Sequence, residues 1–192
     1  MKKLFFIALI AIGFSANAQI SIGAKAGVNL SNFTGSTFDK FKKSTKVNYY
    51  VGGYVDFWLS NNVALQPEAL LSVQGAKFDT AKLNLTYLNV PVLLKFKADG
   101  GFYFEVGPQF GFKIGESSDF GNLPAKDLVK TFDFSGAVGL GYQVSGTFGI
   151  GARYVLGFSK LGNADFSNPD FKNSNIQIGI FVGLGGPSGK KS

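Results

Sequence analysis

Residues 102–114 read FYFEVGPQFGFKI, and large apolar side chains occupy alternate positions of this stretch. One set is Phe102, Phe104, Val106, Phe110, Phe112 and Ile114, and the other is Tyr103, Glu105, Gly107, Gln109, Gly111 and Lys113. A period of two is typical of a β-strand with one apolar and one polar face. Because a tilted membrane-crossing strand needs about 9–11 residues, this stretch is long enough to cross a bilayer.

The same alternation recurs along the rest of the chain. It is found in residues 19–30, 47–59, 63–75, 85–96, 132–144, 148–158 and 176–184. The stretches between them alternate in length: residues 31–46, 115–130 and 159–173 are long, 78–84 is of medium length, and 60–62, 98–101 and 145–146 are short. Outer-membrane barrels have long extracellular loops and short periplasmic turns. The sequence therefore predicts an all-β fold, an eight-stranded antiparallel up-and-down transmembrane β-barrel, with both termini in the periplasm.

The composition supports a membrane barrel over a soluble one. Only 16% of residues are charged and 21 are phenylalanine, whereas soluble domains carry about 25% charged residues. A soluble lipocalin-like barrel would turn its phenylalanines inward around a ligand. An eight-stranded barrel has an interior just wide enough for side chains, so it cannot hold that many phenylalanines and a ligand. In lipid the sheet must close, because no water is present to satisfy an open edge.

The first residues have the features of a secretory signal peptide. Lys2 and Lys3 precede an apolar run over residues 4–14, and Ala16 and Ala18 form a small-x-small cleavage site. No apolar run after residue 18 reaches the roughly 20 residues of a membrane helix. The predicted units are residues 1–18 as signal peptide, 19–185 as outer-membrane barrel and 186–192 as a flexible polar tail.

The residue types that are missing exclude several kinds of chemistry. The chain has no cysteine and no histidine, so it lacks thiol chemistry and the commonest general base and metal ligand. We expect no enzymatic activity, no catalytic residues, no metal and no cofactor. The net charge of +7 does not point to nucleic acid, because the chain is predicted to be exported.

Two groups of charged residues are candidates for a functional site. Lys25, Glu68, Glu105 and Arg153 lie on the polar faces at middle depths of their strands. They are predicted to form a charge network in the lumen, either as a structural ion-pair core or as a gate or selectivity element. The second group is a basic extracellular loop with Lys40, Lys42, Lys43 and Lys46. It could bind anionic lipopolysaccharide or a protein partner, or be an ordinary solvated loop.

Four segments carry a resemblance to a known family. They are GAKAGVNLSNF at 23–33, LQPEALL at 65–71, YLNVPVLLK at 87–95 and YFEVGP at 103–108. The chain resembles the small outer-membrane β-barrels of the Bacteroidetes, the PorT-like or porin-family proteins, one branch of which is linked to type IX secretion. Barrels of this kind commonly end on an aromatic residue, whereas this chain continues through residues 186–192.

Two functions fit these features. The first is a plugged structural or interaction barrel, whose lumen is filled by charged side chains and whose loops or periplasmic face meet a partner. The alternative is a narrow porin-like channel for small solutes or ions.

Overall fold

Eight β-strands make up nearly all of the part of the chain that the computed structural model describes, which is residues 19–34, 46–78, 81–118, 131–159 and 172–185. The strands are β1 (Gln19–Thr34), β2 (Lys46–Trp58), β3 (Val63–Phe78), β4 (Ala81–Lys97), β5 (Phe102–Ser118), β6 (Phe132–Gln143), β7 (Phe148–Gly157) and β8 (Lys172–Gly185). Among these residues, no helix is long and apolar enough to cross a membrane. The predicted signal peptide, the polar tail and Lys40, Lys42 and Lys43 lie outside them.

The strands form a closed antiparallel barrel. Each strand pairs with the next along the chain, and β1 pairs with β8 to complete the ring. Closure pairs both edges of the sheet, so the wall of the barrel leaves few main-chain groups without a partner in lipid. The predicted eight-stranded up-and-down barrel is therefore confirmed.

The alternation in the sequence corresponds to the two faces of the wall. Phe102 and Leu140 on the outer face are 61% and 65% exposed, whereas Tyr103 and Glu105 on the inner face are 7% and 4% exposed. Aromatic rings pair on the outer surface near both ends of the strands. Phe102 lies 4.9 Å from Tyr142 near one end, and Phe112 lies 5.6 Å from Phe132 near the other, measured between ring centroids. Such belts mark the two interfaces of a membrane-spanning barrel.

Short turns and long connections lie at opposite ends of the barrel. We call the end with residues 59–62, 98–101 and 144–147 the turn end, and the opposite one the loop end. The turn between β4 and β5 includes Gly100 and Gly101, whose φ angles are 77° and 91°. Glycine adopts this left-handed conformation at little cost, which allows the tight reversal.

The strands extend further at the loop end than the sequence predicts. The predicted loop over residues 78–84 is wrong, because β3 continues to Phe78 and β4 begins at Ala81, and these two residues are paired. β1 and β5 also continue past their predicted ends, to Thr34 and Ser118. Outside the lipid a ladder needs only its main-chain bonds, so polar residues can continue it without the apolar alternation.

Candidate functional site

The four predicted lumen charges come from the four odd-numbered strands. Lys25 is on β1, Glu68 on β3, Glu105 on β5 and Arg153 on β7, and each residue is no more than 8% exposed. In a closed ring of eight strands, β1 faces β5 and β3 faces β7. The inward positions of these strands therefore bring charges from opposite walls towards the centre of the lumen.

Arg153 joins two walls of the barrel. Its Nη1 and Nη2 atoms each donate to a different carboxylate oxygen of Glu68, both at 2.8 Å. Its Nε donates to Oε1 of Glu105, also at 2.8 Å. A two-pronged guanidinium–carboxylate pair is among the strong, geometrically specific hydrogen bonds of proteins. Because β7 and β3 are opposite each other, the Arg153–Glu68 pair crosses the bore.

Lys25 completes the charge cluster, the name we use for Lys25, Glu68, Glu105 and Arg153 together. Its Nζ lies 2.5 Å from Oε1 of Glu68 and 3.7 Å from Oε2 of Glu105. The amide of Gln66 adds a hydrogen bond of 2.7 Å to Glu68. Two cations and two carboxylates balance, which is the condition for burying charges without a large desolvation cost.

A second ion pair lies between the charge cluster and the turn end, and it was not predicted as part of the site. Nζ of Lys95 is 3.3 Å from Oδ2 of Asp56. The same Nζ lies 4.9 Å from the ring centroid of Tyr103 and 5.4 Å from that of Phe181, within the range of cation–π attraction. The sequence contains part of the information needed to find this pair, because both charged residues fall on the polar faces of their strands. The two strands, β2 and β4, lie two apart in the ring.

Large side chains fill the lumen over glycines of the neighbouring strand, with which they are directly paired. A β-carbon at Gly141 would overlap the ring of Tyr103, and one at Gly149 would overlap the ring of Phe181. A β-carbon at Gly139 would lie 2.8 Å from a carboxylate oxygen of Glu105. The inner glycines are therefore the space into which the aromatic rings and one carboxylate of the site pack.

A cavity of about 20 Å³ lies beside the charge cluster, against Lys25, Tyr50, Glu105 and Gln177. This volume holds about one water molecule. Oε2 of Glu105 has no hydrogen-bond partner among the described residues. The cavity therefore gives room for about one small molecule beside the charge cluster.

The structure says little about the basic loop and about metal binding. Only the backbone of Lys46 is described, as the first residue of β2, so the basic loop has no described geometry. Within the described part of the chain, no group of three or more histidine, cysteine, aspartate or glutamate side chains could hold a metal ion.

A closed eight-stranded antiparallel barrel with an apolar, aromatic-belted exterior and a charged interior defines an outer-membrane β-barrel protein. A family model described as the outer membrane protein β-barrel domain matches residues 14–163. The chain belongs to this family, and its place is the outer membrane. No curated protein matches the sequence.

A comparison with solved structures finds similar chains at low sequence identity. Ail, the attachment invasion locus protein of Yersinia pestis, is 14% identical with a TM-score of 0.53, over 86% of this chain and 99% of that one. Neisserial surface protein A, NspA, is 13% identical with a TM-score of 0.49, over 86% of this chain and 98% of that one. The narrower resemblance to PorT-like proteins of the Bacteroidetes stays a prediction.

Proposed function

We propose that this protein is an outer-membrane scaffold: a barrel plugged by its own side chains, which presents its loops to a partner. The observation that carries the proposal is the contact of Arg153 on β7 with Glu68 on the opposite strand β3. A side-chain pair that joins facing walls occupies the middle of the bore, and this supports a plug at that depth.

The electrostatics of the charge cluster favour a permanent plug. An ion that passed this level would have to separate Arg153 from Glu68 and Glu105, and removing one partner from a buried ion pair costs about 3–5 kcal/mol. Towards the turn end, Lys95 and the rings of Tyr103 and Phe181 form a further packed layer. Two successive layers would have to open together for a solute to pass.

The proposal includes the orientation and the surroundings of the barrel. The loop end faces the outside of the cell, and Gln19 and Gly185 lie at the periplasmic side, because long connections are extracellular in such barrels.

Residues 1–18 direct export and are removed. The function requires no catalysis and no cofactor. The basic loop with Lys40, Lys42, Lys43 and Lys46 meets lipopolysaccharide or the protein partner.

Conductance in a planar bilayer tests the plug. We expect refolded residues 19–192 to insert without steady openings, and the double variant Glu68→Ala/Arg153→Ala to conduct. Lys82→Ala, which changes a lysine outside the charge cluster, should stay silent. Steady, reproducible openings of the unaltered chain would contradict the scaffold.

The second candidate is a narrow channel for small solutes or ions. It is favoured by the cavity beside the charge cluster and by the carboxylate oxygen of Glu105 that has no hydrogen-bond partner among the described residues. A channel would conduct without any substitution, and Glu105→Gln would lower its preference for cations, since a charged lining sets selectivity. The same recordings therefore separate the two functions.

A further inference from the structure

The charge cluster spans the bore in two directions, and only one of the two links is direct. In the ring of eight strands β7 lies opposite β3, and β1 lies opposite β5. Arg153 joins the first two walls through its 2.8 Å contacts with Glu68. Lys25 on β1 and Glu105 on β5 approach each other only to 3.7 Å, measured between Nζ and Oε2. A polar contact longer than about 3.5 Å is not a direct hydrogen bond, and a water molecule is the usual bridge across such a distance.

Both sides of this gap are held in place by shorter contacts. Oε1 of Glu105 accepts from Nε of Arg153 at 2.8 Å and lies 2.7 Å from its Nη2. The same carboxylate packs over Gly139, where a β-carbon would lie 2.8 Å from Oε1. Nζ of Lys25 lies 2.5 Å from Oε1 of Glu68. Closing the gap would lengthen one of these contacts, so the packing of the charge cluster sets the separation.

The gap has a hydrogen-bond acceptor on one side and a donor on the other. Glu105 is 4% exposed, and its Oε2 has no hydrogen-bond partner in the part of the chain that the structure describes. Buried polar atoms are nearly always hydrogen-bonded, either to protein or to ordered water. The ammonium group of Lys25 has three donors, and among the described residues it makes one hydrogen bond, to Glu68.

The cavity beside the charge cluster reaches both groups. Lys25 and Glu105 line it, together with Tyr50 and Gln177, whose side chains carry a hydroxyl and an amide. Its volume is about 20 Å³, and one water molecule needs about 10–15 Å³ of such space. A buried water makes about three hydrogen bonds, and the polar groups of this lining are sufficient for that number. The cavity therefore fits one water and is too small for a larger solute.

The charges around the cavity favour a neutral occupant. A cation would lie beside both Lys25 and Arg153, which line the cavity, and like charges repel strongly where little water screens them. An anion would meet Oε2 of Glu105, which can only accept. A water molecule carries no charge, donates to the carboxylate and accepts from the ammonium group.

We propose that this cavity is a binding site for a single water molecule, which donates to Oε2 of Glu105 and accepts from Nζ of Lys25. At about 2.8 Å from both atoms, the water lies to one side of the line that joins them. It supplies the second link across the bore, from β1 to β5, beside the direct link from β7 to β3.

The proposal goes beyond the scaffold function and does not rest on it. The water is observed in a structure, whereas the plug is tested by conductance. A conducting barrel that holds the water would remove only the plug, and a silent barrel without the water would remove only the site.

A crystal structure of the refolded chain, grown from a lipid phase and at a resolution that shows ordered waters, tests the site. We expect one density peak within about 3.2 Å of both Oε2 of Glu105 and Nζ of Lys25. The measurement uses the unaltered protein, so it does not depend on any variant folding.

Crystals grown in rubidium chloride separate a water from a cation. Rubidium scatters X-rays anomalously, so a cation in the cavity would give an anomalous peak, whereas a water would not. We expect the density peak to remain and to carry no anomalous signal.

A charge-neutral pair of substitutions tests the two partners. Lys25→Met/Glu105→Met replaces both with apolar side chains and leaves Arg153 paired with Glu68, and such replacement of a whole buried pair is tolerated far better than removal of one partner. The peak should be lost, because an apolar cavity of this kind stays dry. Asp56→Leu/Lys95→Met is the matched control: it removes the other ion pair of the lumen and should leave the peak in place.

Four results would overturn the proposal. They are a cavity without density, a direct contact of about 3.2 Å or less between Nζ of Lys25 and Oε2 of Glu105, an anomalous rubidium peak in the cavity, and a water peak that survives Lys25→Met/Glu105→Met. The third result would assign the cavity to a cation, and the fourth would assign the water to other groups of the lining.

Discussion

Arg153 is the residue on which the interior of the barrel depends most. It makes three hydrogen bonds to two carboxylates that come from different strands. Its removal leaves Glu68 and Glu105 in the lumen with Lys25 as their remaining cation. Residues of this kind act through the charge balance of a buried group, and their effect far exceeds that of a charge on the surface.

We expect Arg153→Ala to lower the free energy of unfolding by about 3–5 kcal/mol, because two buried carboxylates lose their main partner. Denaturant unfolding in vesicles, followed by the fluorescence of Trp58, the only tryptophan, measures the change. Lys82→Ala is the control and should unfold close to the unaltered protein. Equal midpoints for the two variants would show that the charge cluster does not stabilise the barrel.

Packing against a single glycine is testable at the same scale. Gly141→Ala places a methyl group where it overlaps the Cζ and hydroxyl oxygen of Tyr103 and crowds the carbonyl oxygen of Ile150, and overpacking of this kind costs about 1–3 kcal/mol. Gly146→Ala is the matched control, since a β-carbon there has nothing within 4 Å. The comparison uses the same denaturant titration, and a Gly141→Ala barrel as stable as the Gly146→Ala barrel would contradict tight packing at Gly141, since both Tyr103 and the backbone at Ile150 would have to move aside.

Among the strands, β1 both closes the ring and links strands through the lumen. It closes the ring with β8, and its Asn29 reaches across to β3, donating to Ser72 at 2.8 Å and accepting from Gln177 at 3.2 Å. A polar side chain with partners on three strands sets the position of each strand relative to the others. Asn29 therefore forms a junction, by which we mean a point where one side chain links β1 to β2, β3 and β8.

Replacing Asn29 with alanine should lower stability by about 1–3 kcal/mol, because the carbonyls of Tyr49 and Val73 and the amide of Gln177 lose a buried partner. Asn62→Ala is the control: its amide also bonds a carbonyl, that of Lys97 at 2.9 Å, but in an exposed turn where water can replace it. If the two variants unfold at the same denaturant concentration, the junction does not depend on Asn29.

The strands themselves follow from the sequence, and the contacts between them follow only in part. A period of two assigns each side chain to the inner or outer face, which is why Lys25, Glu68, Glu105 and Arg153 could be placed in the lumen. Which charges meet depends on the order and register of the closed ring, and a local pattern does not contain that information. The Lys95–Asp56 pair was missed for this reason. The extensions of the strands at the loop end were missed because strand residues outside the lipid need not alternate between apolar and polar side chains.

For the molecule as a whole, the outer surface is the part that meets the lipid. The exterior is apolar at its middle height, where no water is present to solvate a charge. Towards the aromatic belts a charged side chain is tolerated at lower cost. The energetic effect of a charged substitution should therefore depend on its depth. This gradient would not exist on a soluble barrel.

Val138→Arg, on the outer face near the middle of β6, should lower the free energy of unfolding in vesicles by about 2–4 kcal/mol. Val144→Arg, just past the turn end of the same strand, should cost about 0–1 kcal/mol. Both valines are exposed, at 42% and 55%, so burial does not separate them. Equal costs would contradict the transmembrane placement of the strands.

The pairing of β1 with β8 also governs the timing of folding. The first strand emerges at the start of synthesis and must wait for the last before the ring can form. Until β7 arrives, Glu68 and Glu105 lack the arginine that balances them, so no early fragment can assemble a stable interior. Contacts between distant parts of a chain form slowly. The exported polypeptide therefore has to be kept from aggregating until all eight strands are available together.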